Sequence, residues 1–354
     1  MNVTFKAYKD WDLLLVSNYL RVMNSGPIKM TRRSGVLPSG ARVWQVLEED
    51  RDALLKTLCS MWGIAPTDRF PGATCISIER EHFVDLQSFK YWVCEKTDGV
   101  RYLMMCVVYK DLKLVTLINR NFEIFLLGIN VPTVLFQGTI FDGELVMNKK
   151  TERVEFLVFD AVCVSGRSVR DFPFHQRIAC PQEVLRPHPQ PLSDAVFITG
   201  KAFFPLFLFS DFLKHREQHA GVYDTDGLIF TPEELPVWNF RHRKMFKWKD
   251  ASNHTIDFLV ELQDTALSLN LYDSLNKKMR KAAMLRTPTI GDYVIKPKDV
   301  VECKLEKAQW KPFLLRTDKS HPNDLETFRR TLNNIKENIK LEEFSDLASK
   351  CVRT

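Results

Sequence analysis

Six short apolar or alternating segments follow one another between Tyr91 and Val164: YWVCEK, RYLMMCVVY, LKLVTLINR, FEIFLL, QGTIFDGELVM and VEFLVFDAVCV. Each is bounded by Gly, Asp or Asn, and no helical pattern separates one from the next. Parallel neighbours need a crossover of about a dozen residues or more, usually a helix. This spacing therefore predicts antiparallel meanders rather than βαβ units.

The flanking segments are less regular. Residues 1–42 read as irregular, with PIKMTRRSGVLPSG an extended surface loop. A helix is predicted from Val43 to about Met61, striped by Val43, Val46, Leu47, Leu54, Leu55 and Leu58. Phe70-Pro71-Gly72 marks a turn before a short strand, Cys75-Ile76-Ser77-Ile78, and Leu86 to Lys90 leads into the strand-rich block. The proline- and glutamine-bearing stretch 171–192 has no clear period. Phe203 to His215 reads as helix, and Leu228-Ile229-Phe230 and Met245 to Lys249 as strands. After a polar break at Ala251 to Asn253 come IDFLVEL, ALSLNLYD, GDYVI, DVVECKLE and WKPFLLRTD. Five short strands suit a small barrel of the oligonucleotide-binding (OB) type. The tail NDLETFRRTLNNIKENIKLEEFSDLASK is helical by period through Leu325, Phe328, Leu332, Ile335, Ile339 and Phe344. The predicted class is α+β: a domain of antiparallel sheets with helices over 1–252, then an OB-fold domain with a terminal helix over 253–354.

Composition agrees. The 354 residues are 45% hydrophobic and 27% charged, enough for a sizeable core in two domains. Fifty Lys and Arg against 44 Asp and Glu leave +6, which permits a polyanionic partner without requiring one. No apolar run reaches the length of a bilayer-crossing helix, and MNVTFKAYKDWD lacks the apolar stretch of a secretory signal. The eight cysteines form no CxxC pair, which argues against a zinc knuckle or a redox couple. Cys94 and Cys106 read as buried thiols in a reducing compartment.

The sharpest local feature is Glu95-Lys96-Thr97-Asp98-Gly99-Val100-Arg101. Lys96 follows an apolar strand, and Gly99 permits a tight turn after it. Desolvation and neighbouring cations ease proton loss from such a lysine and make it a nucleophile. An isolated lysine is otherwise most often a solvated surface group.

This sequence resembles the GTP–RNA guanylyltransferases of mRNA capping, within the covalent nucleotidyltransferase superfamily that also holds the ATP-dependent ligases. Lys96-Thr97-Asp98-Gly99-Val100-Arg101 matches the KxDGxR nucleophile motif at every fixed position. Further motifs are matched by Asp142-Gly143-Glu144-Leu145-Val146, Phe156-Leu157-Val158-Phe159-Asp160, Asp226-Gly227-Leu228-Ile229-Phe230 and Lys247-Trp248-Lys249. The last reads Arg316-Thr317-Asp318-Lys319, with Pro322-Asn323 beyond. Six motifs in family order cover most of the chain.

The resemblance implies a catalytic set of Lys96, Arg101, Glu144, Asp226, Lys247, Lys249, Arg316, Asp318 and Lys319. It implies nucleotide contacts from Glu95, Lys96, Arg101, Arg120, Glu144, Phe159, Lys201, Lys247 and Lys249, with Phe159 stacking on guanine and Lys201 reaching its polar edge. Glu144 and Asp226, expected where strands end, could together bind Mg2+ or Mn2+, or be plain turn acids. Lys247 and Lys249 alternate with Trp248, so both ammonium groups face one side of a strand, as a triphosphate site or simply a basic edge. Arg316 and Lys319 belong to the second module and imply a lid, whereas RTDKSHPND read alone is a polar turn before a helix that Asp324 could cap. Phe159 read alone is ordinary core.

The implied reaction carries GMP from GTP through a lysyl–GMP to the 5′-diphosphate end of RNA. Lys29, Arg32, Arg33, Arg241, Arg243 and Lys244 are candidate RNA-backbone contacts, or a solvated face. The alternative is an ATP-dependent polynucleotide ligase, but Asp226 stands where ligases usually carry glutamate. A non-catalytic RNA-binding module would need the barrel without Lys96 and its carboxylates. No HCxxxxxR phosphatase loop and no methyltransferase fingerprint are present, so a separate RNA triphosphatase and methyltransferase are expected. For a cellular enzyme the resemblance implies the nucleus and the C-terminal tail of RNA polymerase II as a partner.

Overall fold

The structure is a computed structural model that describes residues 30–37, 42–192, 194–234, 240–317 and 319–351. The six predicted segments become strands Tyr91–Thr97, Val100–Tyr109, Leu112–Ile118, Ile124–Leu127, Thr139–Asn148 and Arg153–Val164. All but the first lie in one large sheet, ordered Met30–Val36, Arg42–Val46, Ile124–Leu127, Leu112–Ile118, Val100–Tyr109, Thr139–Asn148, Arg153–Val164, Arg167–Ser168. Phe197–Gly200 adds a parallel partner to Arg153–Val164. The strand Val100–Tyr109 is buried on both faces: Met104 and Cys106 pack to one side, Leu103, Met105 and Val107 to the other. Helix Glu48–Trp62 covers the second of these faces through Leu54, Leu58 and Trp62, and helix Phe174–Leu185 packs on the first through Cys180, Val184 and Leu185.

The strand Tyr91–Thr97 lies instead in a second sheet, between Phe204–Pro205 and Thr225–Pro232, followed by Phe240–Trp248 and Ala73–Ser77. The chain thus leaves the second sheet at Thr97 and enters the large one at Val100, across a two-residue turn. A third sheet is ordered Lys278–Met284, Ala266–Asp273, Thr255–Gln263, Val300–Glu306, Gln309–Leu315. Among the described residues its first and last strands do not pair with each other.

Several elements differ from expectation. Arg42–Val46 is a strand rather than the start of a helix, because it pairs with both Met30–Val36 and Ile124–Leu127. The helix begins at Glu48, where three successive acids, Glu48, Glu49 and Asp50, suit its N-terminal dipole. Met30–Val36, expected to be loop, is an edge strand. The stretch 171–192 contains the helix Phe174–Leu185, and the helix expected from Phe203 starts only at Phe209, after Phe204–Pro205 has joined the second sheet. In the third sheet the fifth strand is Lys278–Met284; GDYVI supplies only Tyr293–Val294, in a two-stranded ribbon with Thr289–Ile290.

The terminal helix is two helices, Leu325–Glu337 and Leu341–Ala348, broken where Asn338 takes a left-handed conformation (φ 48°). Asp324 caps the first, accepting from Thr327 N at 2.6 Å. Leu325 and Phe328 pack on the third sheet, while Ile339, Phe344, Leu347 and Ala348 enter the core of the second. Trp248 Nε1 donates to Ile339 O at 2.9 Å, and Asn334 Nδ2 to Ile78 O at 2.5 Å. Arg80 adds an ion pair to Glu343 at 2.6 Å.

Candidate active site

In the second sheet Gly227 pairs with Lys96 and Leu228 with Glu95, and a bulge between Thr225 and Gly227 takes Asp226 out of the ladder. A bulge re-aims a side chain, and Asp226 Oδ1 lies 2.7 Å from Lys96 Nζ. Its other oxygen pairs with Lys249 Nζ. Gly227 is obligatory, because a Cβ there would overlap the Trp248 carbonyl oxygen. Burial alone would raise the Asp226 carboxyl, but Lys96 and Lys249 outweigh it and hold the group below the usual carboxylate range. Lys247 is drawn below the usual lysine range by burial first, with the charges of Lys249 and Lys96 adding to it. Trp248, between the two lysines, is turned inward at 6% exposure, so the predicted alternation holds.

The turn out of the strand is tightly specified. Asp98 N donates to Asp224 O at 2.8 Å, and a Cβ on Gly99 would lie 2.5 Å from Leu145 O. Arg101, on the large sheet, grips Asp142 with two bonds, Nε to Oδ1 at 2.8 Å and Nη2 to Oδ2 at 2.5 Å. Its Nη1 reaches Ala73 O at 2.6 Å and so ties the two sheets together. Asp142 in that grip is raised, burial outweighing the guanidinium. The Arg101 guanidinium also lies 5.3 Å from the ring centre of Phe159, within cation–π range.

Thr97 hydroxyl donates to Glu144 and accepts from Lys201 Nζ at 2.9 Å; Lys201 Nζ is 3.9 Å from Glu144. Lys201 is placed by the parallel strand before it, its N donating to Val158 O at 2.9 Å. Glu95 accepts from Arg216 Nε at 3.1 Å.

The structure therefore brings Lys96, Asp226, Lys247 and Lys249 together on the second sheet, and Thr97, Glu144 and Lys201 beside them. Glu144 lies inside the strand Thr139–Asn148, not at a strand end as expected, while Asp226 is the second residue of its strand. Arg120 is exposed, two residues beyond the end of Leu112–Ile118. Arg316 and Lys319 pair with Asp257 of their own sheet. Asp318 and Lys29 lie outside the described residues, as do the side chains of Arg32, Arg33 and Arg241. Arg243 is exposed, and Lys244 pairs with Asp85 at 2.5 Å. Sequence reasoning passed over Thr97, Asp142, Arg216 and Asp257. The first two stand inside quoted motifs, and Asp257 betrays itself as an acid between apolar neighbours in TIDFLV, where a buried charge demands a partner.

Sheets and helices so arranged make a mixed α+β nucleotidyltransferase-like fold. Residues 40–251 match the family described as mRNA capping enzyme, catalytic domain, and 253–345 match mRNA capping enzyme, C-terminal domain. The chain belongs to the mRNA capping enzyme family. It is similar to mRNA-capping enzyme subunit alpha of Yarrowia lipolytica, 27% identical over 339 residues that span 80% of this chain and 83% of the relative. It is also similar to the mRNA-capping enzyme of Danio rerio, 23% identical over 334 residues, 88% of this chain but 55% of that longer protein. Among solved structures, mycobacterial DNA ligase D complexed with ATP and MES covers 71% of this chain and 96% of its own at 16% identity, with a TM-score of 0.40. The chain is an enzyme, a GTP-dependent mRNA guanylyltransferase that works through a covalent lysyl–nucleotide intermediate.

Proposed function

We propose that Lys96 is the nucleophile. Its Nζ attacks the α-phosphorus of GTP after losing a proton; the bond to the β-phosphate oxygen breaks, and pyrophosphate leaves. A terminal oxygen of the RNA 5′-diphosphate then attacks the same phosphorus, the P–N bond breaks, and GpppN is released with the amine restored. The observation that carries this reading is the 2.7 Å pairing of Lys96 with Asp226 at the turn between the two sheets. Asp226 orients the amine, and Lys249 and Lys247 supply positive field for the phosphates. Phe159 offers a ring for the purine, with Arg101 fixing its surroundings, and the Thr97–Lys201 pair reads the base edge. Glu95 and Arg120 line the ribose and phosphate side.

Glu144 and Asp226 would hold a divalent cation, Mg2+ or Mn2+. Carboxylate oxygens are the donors such a hard ion prefers, and it commonly takes only one or two, with phosphate and water as its other ligands. Among the described residues no group of three or more His, Cys, Asp or Glu could form a closed protein cage. When bound, the ion neutralises charge developing on the phosphates.

The chain divides into a nucleotidyltransferase domain over 1–252 and an OB-fold lid domain over 253–354; Arg316, Asp318 and Lys319 close on the β,γ-phosphates during the first step, while the last helix, Leu341–Ala348, stays packed in the core of the second sheet. The 5′-diphosphate RNA substrate comes from a separate RNA triphosphatase. The site of action is the nucleus, at RNA polymerase II through its C-terminal tail. Incubation with α-labelled GTP or ATP and a denaturing gel tests the core of this reading. GTP should label the protein through an acid-labile bond, and Lys96→Ala and Lys96→Arg should abolish it, guanidinium having no free lone pair at neutral pH. Label from ATP alone, or on another lysine, overturns it.

A further inference from the structure

We infer that Glu155 and Tyr223 are positioning residues for the first step: their hydrogen bond clips the segment entering the Asp226 bulge to the large sheet, and so aims the Asp226 carboxylate at Lys96. This deepens the nucleophile reading above and rests on it. Asp226 is the residue that the ladder leaves out, between Thr225, paired with Thr97, and Gly227, paired with Lys96. Ladder bonds are disrupted at a bulge, so the direction of its side chain depends on how the chain enters it. That approach is the segment 222–224.

The segment is held from the large sheet, at the hairpin joining Thr139–Asn148 to Arg153–Val164. Lys149 N donates to Val222 O at 2.8 Å, and Lys149 Nζ pairs with Asp224 Oδ1 at 2.5 Å. Asp224 O accepts from Asp98 N at 2.8 Å, in the turn just after Lys96. Between Val222 and Asp224, Tyr223 Oη donates to Glu155 Oε2 at 2.6 Å. Glu155 lies on Arg153–Val164 at 8% exposure, and its other oxygen accepts from Asn148 Nδ2 at 2.7 Å. Asn148 is itself fixed, its Oδ1 accepting from Lys150 N at 3.0 Å and Thr151 N at 3.2 Å. Burial and the Glu155 bond push the Tyr223 hydroxyl above the usual tyrosine range, so it keeps its proton and remains the donor. Hydrogen bonds to a carboxylate are shorter and stronger than neutral ones. This one joins the sheet carrying Glu144 to the sheet carrying Lys96 and Asp226. Glu155 and Tyr223 act through the backbone of 222–226, not on the nucleotide.

The test uses the full chain, with single-turnover rates of lysyl–GMP formation taken over a range of α-labelled GTP concentrations, so that maximal rate and apparent GTP affinity separate. Tyr223→Phe keeps the ring and removes the bond. It should lower the maximal rate by about 10-fold, the scale expected when a group shifts by a fraction of the ~1 Å that costs ~100-fold. Apparent GTP affinity should change by less than about 2-fold, since the interaction lost is not one made with the bound nucleotide. Glu155→Ala should behave in the same way. Glu155→Gln, which can accept from Asn148 through its oxygen and donate to Tyr223 through its nitrogen, should recover the rate to within about 3-fold of the parent. Tyr223→Phe combined with Asp226→Asn should be no slower than Asp226→Asn alone, because the clip works through that carboxylate. Unchanged maximal rates for Tyr223→Phe and Glu155→Ala, beside a slow Asp226→Asn, overturn the clip alone. So does a loss of GTP affinity as large as the loss of rate, which marks general disruption of the site. Multiplicative losses in the double variant, or no recovery with Glu155→Gln, overturn it too. A full rate for Asp226→Asn overturns the reading beneath it.

Discussion

Phe344 lies late in the chain, yet its ring is completely buried in the core of the second sheet. Its neighbours come from four other elements, with ring centres at 4.8 Å for Phe230, 5.7 Å for Trp248, 5.8 Å for Phe83 and 6.2 Å for Phe209. Replacing a buried Phe by Ala costs about 3–5 kcal/mol, more where the walls cannot collapse. Rigid rings held from several directions collapse poorly, so about 4 kcal/mol is expected. Against a total stability of about 5–15 kcal/mol, this removes a quarter or more. At about 2–4 °C per kcal/mol for a unit of about 150–250 residues, the midpoint should fall by about 8–16 °C. Urea titration followed by tryptophan fluorescence measures the loss, and Phe344→Leu, which keeps most of the volume, should lose about 1–1.5 kcal/mol. Because Trp248 stands between Lys247 and Lys249, lysyl–GMP formation by Phe344→Ala should also fail at a lower temperature than in the parent. A loss under about 1 kcal/mol for Phe344→Ala would refute the reasoning, since it would make the last helix a surface attachment instead of core.

Base choice is open to nucleotide competition: Phe159→Ala should weaken GTP and ATP alike, whereas Lys201→Ala should raise KM for GTP more than for purines altered at the polar edge. Equal losses across GTP and ITP would remove Lys201 from base reading. Acid titration probes Asp226. Its folded carboxyl lies below its unfolded value, so its contribution to stability is full above about pH 4, the unfolded carboxylate range, and vanishes as pH falls through the lower folded value. Asp226→Asn should therefore lose stability less steeply than the parent between about pH 4 and pH 2, and parallel curves would contradict the pairing.

What the sequence disclosed and what it concealed divide by range. The block from Tyr91 to Val164 was legible because alternation and turn residues are local, as were the motif positions of Lys96, Asp226 and Lys249. Val43 and Val46 fit a helical stripe equally well, and only their pairing with residues 30–36 and 124–127 decides for a strand. The helix over 174–185 hides behind Pro173 and Pro181 and is secured by Arg177, whose Nε donates to Asp160 Oδ1 at 2.8 Å, a buried partner no short window reveals. Lys278–Met284 has an almost wholly exposed edge-strand pattern, so hydropathy gives no period to read. In the site, the carboxylates that hold Arg101 and Arg316 are 41 and 59 residues away from them. Residue types announce themselves locally, but their partners do not.

The docking of the last helix also sets an order of events during synthesis. Trp248 precedes its partner Ile339 by 91 residues, and Leu86 precedes Cys351 by 265. At about 5–20 residues per second, the face of the second sheet that ends against Phe344 emerges roughly 5–18 s before its cover exists. During that interval a nascent chain carries Phe209, Phe212, Phe230 and Phe246 with no helix over them, the kind of surface that holding chaperones bind and that associates with other copies. The strands bearing Lys96 and Lys247 gain this cover only when the ribosome has delivered the late segment, so nucleotidyl transfer is expected to appear only in chains that have reached it.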